Sequence, residues 1–90
     1  MELTWDPAKA ASNLAKHGVR FADAETVLYD PDALTVEDAD AEGERRYASI
    51  GTDAMGRILV VVYSYRGNRI RLISARRASK KERRSYEEGI

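Results

Sequence analysis

Ninety residues without a cysteine describe one small domain, residues 1–90, with no disulfide to reinforce its core, and a chain this short buries only about 60–65% of its unfolded surface. Thiolate metal sites, redox pairs and a disulfide-stapled secreted scaffold are excluded, which points to the cytoplasm. Fifteen Lys and Arg against fifteen Asp and Glu give zero formal charge, a balance that taken alone argues against a nucleic-acid partner.

That balance averages two unlike halves. Residues 1–44 hold eleven acids and three bases, a net of −8, and residues 45–90 hold twelve bases and four acids, a net of +8. Asymmetry of this kind points to one surface that meets a polyanion. The opening Met1-Glu2-Leu3-Thr4-Trp5-Asp6 has an acid and no apolar run behind it, so no targeting segment is expected. The longest apolar run, Ile58 to Tyr63, is six residues against the roughly 20 that span a bilayer, so no membrane is expected either.

In chain order, Leu3 to Asp6 reads as a short extended piece, able to add a small N-terminal strand. Asp6-Pro7 then starts a helix, with a carboxylate cap and a proline at the first helical position. It runs to about His17, and Gly18 stops it. A second helix is expected from Phe21 to Leu28, where Phe21, Ala24 and Leu28 make one apolar stripe. Its start lacks a Ser or Thr cap because Arg20 stands there. Asp30-Pro31-Asp32 ends it.

The rest reads as four antiparallel strands, roughly Leu34 to Asp38, Arg46 to Thr52, Arg57 to Tyr65 and Arg69 to Arg76. The third is apolar at both parities, as a central strand covered on two faces would be. Simple alternation in the fourth sends Ile70, Leu72 and Ser74 one way, and Arg69, Arg71, Ile73, Ala75 and Arg77 the other. A last helix begins at Ser79, where Ser79-Lys80-Lys81-Glu82 fits a capping box. Its bases come first and its acids last, against the macrodipole. With only Tyr86 and Ile90 to pack it down, it is expected to be weakly anchored and ordered mainly by a partner. The fold class is therefore α+β, two N-terminal helices on a four-stranded antiparallel sheet with a C-terminal helix.

Three constellations bear on chemistry. Lys9, Asn13 and Lys16 lie at i, i+4, i+7 as a polar stripe expected opposite Ala11 and Leu14, with His17 at the helix end. This is either a solvated face or a row able to hold phosphates. Ten of the twelve bases after residue 44 are arginines, whose planar forks suit phosphates and bases, unless they simply pair with the acidic half. The acidic Asp38-Ala39-Asp40-Ala41-Glu42-Gly43 begins like a calcium loop but has Ser49 where the bidentate glutamate belongs, so no metal is expected. No nucleophile motif, Gly-rich phosphate loop or second histidine is present. RNA cleavage needs none of these. The 2′-hydroxyl is the nucleophile, and the enzyme has only to align it, move protons and neutralise charge.

Taken together, Trp5-Asp6-Pro7-x-Lys9, Asn13-x-x-Lys16-His17-Gly18-Val19-x-Phe21-x-x-Ala24, Gly51, Arg69-Ile70-Arg71-Leu72-Ile73-Ser74-Ala75-Arg76-Arg77-Ala78 and Glu82-Arg83-Arg84-x-Tyr86 resemble the BrnT family across nearly the whole chain. The resemblance implies a RelE-like fold and a cytoplasmic ribonuclease toxin of a type II toxin–antitoxin module that inhibits translation. It also implies a BrnA-type antitoxin, a ribbon-helix-helix DNA-binding protein that neutralises the toxin in a higher-order complex. By matching position it assigns His17 to proton transfer, Arg71 and Arg76 to transition-state charge, and Tyr86 to base stacking or proton transfer. Lys9, Lys16, Asn13, Arg69 and Arg77 become RNA ligands, and no cofactor is implied. The residues by themselves leave open a non-catalytic module that binds RNA or an acidic partner.

Overall fold

A computed structural model describes residues 2–38 and 45–89. The acidic segment tested above for calcium lies largely outside the described residues, as does Ile90. The elements are β1 (Glu2–Thr4), α1 (Pro7–His17), α2 (Phe21–Ala24) running into a 3₁₀ turn (Glu25–Tyr29), β2 (Leu34–Asp38), β3 (Arg46–Thr52), β4 (Ile58–Arg66), β5 (Arg69–Arg77) and α3 (Lys80–Glu88).

The strands form one sheet in the order β1-β5-β4-β3-β2. The architecture is α+β as expected, but the sheet is five-stranded and mixed instead of four-stranded and antiparallel. The extended piece at the N-terminus becomes a true strand, parallel to β5, with Leu3 opposite Ile70 and Thr4 opposite Arg71. β4 sits in the centre, where its doubly apolar pattern placed it.

The helix signals act locally. The Asp6 carboxylate accepts from the Ala8 amide at 2.9 Å, and Gly18, at φ 70°, donates to Leu14 at 2.8 Å. A β-carbon is disfavoured at that left-handed angle. The expected second helix divides: with no side-chain cap at Arg20, it keeps α geometry only to Ala24 and then tightens.

One face of the sheet carries the core. Val19, Phe21, Ala24 and Val27 from the helical side pack on Leu59, Val61 and Tyr63 of β4 and on Ile70, Leu72 and Ala75 of β5. Trp5 adds an edge-on contact to Phe21 at 5.9 Å.

Two expectations about side-chain direction are corrected. Between Val62 and Tyr63 the β4–β5 register slips, pairing Val62 with Ser74 but Tyr63 with Leu72. Ile73 is the extra residue of a bulge, and a bulge reverses parity beyond itself. Ala75 and Arg77 therefore face the helices with Leu59 and Val61, while Arg76 joins Arg69 and Arg71 on the outer face.

The second correction concerns α1. Ala11 and Leu14 are exposed, Leu14 by 42%, and Asn13 is buried. Its amide donates to the Ala75 and Val19 carbonyls at 2.9 and 3.0 Å and accepts from the Ala75 amide at 3.0 Å. β1 ends opposite Arg71, so beyond it β5 has no strand on that side, and the Asn13 amide supplies the pair of bonds a neighbouring strand would make. Satisfying those backbone groups outweighs burying Leu14, and the helix turns accordingly.

A cationic sheet face and two polar latches

The helix that carries Lys9, Lys16 and His17 packs through Ala10 against the core. Both lysines are exposed, and His17 is partly buried. Arg77, redirected by the bulge, lines a groove of about 240 Å³ with Arg57 and Arg83. Arg57 is held by Asp53 at 2.8 Å and by Asp23 at 3.6 Å.

Arg69, Arg71 and Arg76 leave β5 on the outer face, whereas Lys9, Lys16 and His17 stand on α1, which packs on the core face, so the expected site residues are distributed over two elements. Arg69 makes an exposed ion pair with Glu2 at 3.5 Å. Arg71 is partly buried and has no ion pair or side-chain hydrogen bond among the described residues. With Arg66, Arg69, Thr4, Trp5 and Asp6 it lines an open groove of about 310 Å³.

The other three expected site residues are engaged in the fold. Asn13 spends its amide on β5. Arg76 grips Glu82 through both nitrogens, at 2.8 and 2.9 Å. Glu82 also closes the capping box by accepting from the Ser79 amide. The Arg76 hydrogen bond, reinforced by Ser79, holds the Glu82 carboxyl down to about 2.

Tyr86 donates to Asp30 Oδ2 at 2.6 Å and accepts from the Thr52 hydroxyl at 2.9 Å. Burial alone would raise the Asp30 carboxyl, but the Tyr86 hydroxyl and the Thr52 and Asp32 amides outweigh it and hold that carboxyl low. Its partnership with Asp30 raises the Tyr86 phenol in turn. These two latches fasten α3, in which no residue is buried.

Ser64, Arg46 and Asp30 stand outside any functional motif of the sequence. Ser64 left a signal, a hydroxyl at the end of an apolar central strand. Asp30 left none beyond its place before a proline.

A five-stranded mixed sheet with α1 and α2 packed on one face, and arginines on the other with α3 latched beside them, defines a small α+β protein with a cationic sheet surface. The family model described as the ribonuclease toxin BrnT of type II toxin–antitoxin systems matches residues 5–82. The chain also resembles the crystal structure of the Brucella abortus ribonuclease toxin BrnT, with 31% identity and a TM-score of 0.70, covering 89% of this chain and 99% of that one. No curated protein matches it. The chain belongs to the BrnT family of ribonuclease toxins. Membership implies an RNA substrate and an antitoxin partner. No helix among the described residues is long and apolar enough to cross a membrane.

Proposed function

We propose that this chain is a metal-independent endoribonuclease toxin, cleaving RNA by attack of its 2′-hydroxyl, inhibiting translation, and neutralised by a BrnA-type ribbon-helix-helix antitoxin. The observation that carries the reading is the family match over residues 5–82. Arginines supply the positive charge that a phosphorane needs, which is the support for a metal-free reaction.

The reaction is placed on the outer face. As the 2′-oxygen bonds to phosphorus, the bond from phosphorus to the 5′-oxygen breaks, giving a 2′,3′-cyclic phosphate and a 5′-hydroxyl. Water takes the proton of the 2′-hydroxyl and supplies one to the leaving oxygen, while Arg71 neutralises the charge that builds on the phosphoryl oxygens and Arg69 holds the adjoining backbone. Arg76 and Tyr86 act by fixing α3 beside this face. Lys9, Lys16 and His17 on α1, and Arg77 in its groove with Arg57 and Arg83, stand apart from the reacting phosphate.

The test is cleavage of single-stranded RNA by purified protein in excess EDTA. Cleavage should persist with chelator and fall about 10²-fold or more in Arg71→Ala, the scale of removing one charge-stabilising donor. His17→Ala should lose less than about tenfold, since proton transfer by a single side chain contributes 10²–10⁴-fold where it operates. Loss of cleavage in EDTA that added metal restores would overturn the metal-free mechanism. Abolition by His17→Ala with Arg71→Ala intact would move the reaction to the helical side. Tight, salt-dependent RNA binding with no change in RNA length would favour a non-catalytic module instead.

A further inference from the structure

The strand register draws one row across the outer face. Arg46 of β3 stands opposite Ser64 of β4, and Ser64 stands opposite Arg71 of β5. Directly opposed side chains on a sheet start only about 4.5–5.5 Å apart, so three polar groups share a small area in the middle of the sheet.

Their partners are missing in a consistent way. Ser64 is 0% exposed, and among the described residues neither its hydroxyl nor the buried Nε of Arg46 has a hydrogen-bond partner. Arg71 lacks any side-chain hydrogen bond or ion pair among the described residues. Buried polar groups are almost always satisfied, and leaving one unpaired is expensive. Two guanidiniums flanking an orphaned hydroxyl add repulsion to that cost.

An oxyanion resolves all of it together. One oxygen accepts from the Ser64 hydroxyl and from Arg46 Nε, and a second takes the planar fork of Arg71. We propose that Arg46, Ser64 and Arg71 form a binding site for a phosphodiester of the RNA strand. The proposal rests on the ribonuclease reading above and assigns it a backbone subsite.

Two features favour RNA over the carboxylates of an acidic protein. The groove that Arg71 shares with Arg69 is also lined by Trp5, partly buried against Phe21, and an aromatic side chain beside a cationic track suits a single strand with stackable bases. Arg69 and Arg71 are two strand residues apart on one face, about 6.6 Å along β5, close to the separation of neighbouring phosphates in an extended strand.

The experiment measures binding of a 2′-fluoro RNA oligonucleotide, which lacks the nucleophile, by fluorescence anisotropy over a salt series. Melting of the free protein is followed in parallel. Arg46→Gln and Arg71→Gln should each weaken binding about tenfold and reduce the slope of log affinity against log salt by about 0.7, the value of one phosphate contact to a single strand. Ser64→Ala should weaken binding several-fold without lowering the melting temperature, because it deletes a hydroxyl that has no partner among the described residues. A fall in melting temperature with RNA affinity unchanged overturns the proposal. So does loss of antitoxin affinity in the arginine variants with RNA affinity intact.

Cleavage of ordinary RNA is scored separately. If the row binds 2′-fluoro RNA but ordinary RNA is never cut, the subsite stands and the ribonuclease reading falls. If Arg46→Gln and Ser64→Ala bind and cut like the parent, the subsite falls alone.

Discussion

Asn13 is the residue with most influence for its size. Its amide occupies the Ala75 amide and carbonyl and the Val19 carbonyl, so Asn13→Ala leaves three buried backbone groups unpaired. At about 1–3 kcal/mol for each orphaned group, a loss of about 3 kcal/mol is a conservative figure. That is roughly 12–24 °C in melting temperature for a domain of this size. Thermal denaturation followed by circular dichroism checks it; a shift of only a few degrees would mean that water replaces the amide. Gly51 is constrained from the other direction. A β-carbon there would meet Val27 Cγ1 at 3.0 Å, Asp30 Oδ2 at 3.1 Å and the Ala33 β-carbon at 3.3 Å. Gly51→Ala is therefore expected to destabilise by about 1–3 kcal/mol, as overpacking does, and to disturb Asp30, which chemical denaturation would register. Sequence made part of this legible. The Asp6-Pro7 start and Gly18 stop are read from three neighbouring residues. Asn13 is not, because its partner lies 62 positions away and its spacing with Lys9 and Lys16 fits an exposed stripe equally well.

At the scale of elements, α3 is held by contacts that depend on protonation. Glu82 has its carboxyl lowered from an ordinary 4.5 to about 2 by Arg76 and the cap. A lowered carboxyl contributes stability above its ordinary value and loses it as pH falls toward the folded one. Amide exchange over 80–88 should accelerate as pH drops from about 4.5 to about 2, after correction for the intrinsic pH dependence of exchange. Glu82→Gln should remove most of that dependence. The magnitude is moderated by solvent, since the Arg76 side chain is 43% exposed. Tyr86→Phe removes the hydroxyl that joins Asp30 to Thr52, and a loss of about 1–2 kcal/mol is expected, measured by urea unfolding. The capping box was visible in Ser79-Lys80-Lys81-Glu82, and so was the shortage of apolar residues in α3. The latches were not, because a tyrosine and an arginine do not announce which carboxylates they will meet. The bulge at Ile73 was equally silent. Alternation is a rule of regular strands, and a one-residue slip inverts it without any change in composition.

At the scale of the molecule, the two charged halves of the sequence do not become two charged ends. Glu2 with Arg69, Asp23 with Arg57, and Glu37 with Arg45 tie one half to the other, so part of the positive charge is offset within the fold. What remains for RNA is the smaller set on the outer face. With three phosphate contacts, at Arg46, Arg69 and Arg71, the slope of log affinity against log salt should be about −2. A slope of about −4 would mean that Lys9, Lys16 and Arg77 bind RNA as well. The doubly apolar β4 made the centre of the sheet legible from sequence, whereas three residues such as Glu2–Thr4 carry too little pattern to name the strand they will join. That first strand has a further consequence, in time instead of space. Its partner is β5, and Asn13 also waits for β5, so the earliest residues of the chain close against nearly the last. Contacts of such long reach form late in folding. During synthesis, then, the row on the outer face has neither its edge nor its second guanidinium until β5 emerges, and an incomplete chain carries no assembled version of the surface proposed to grip RNA.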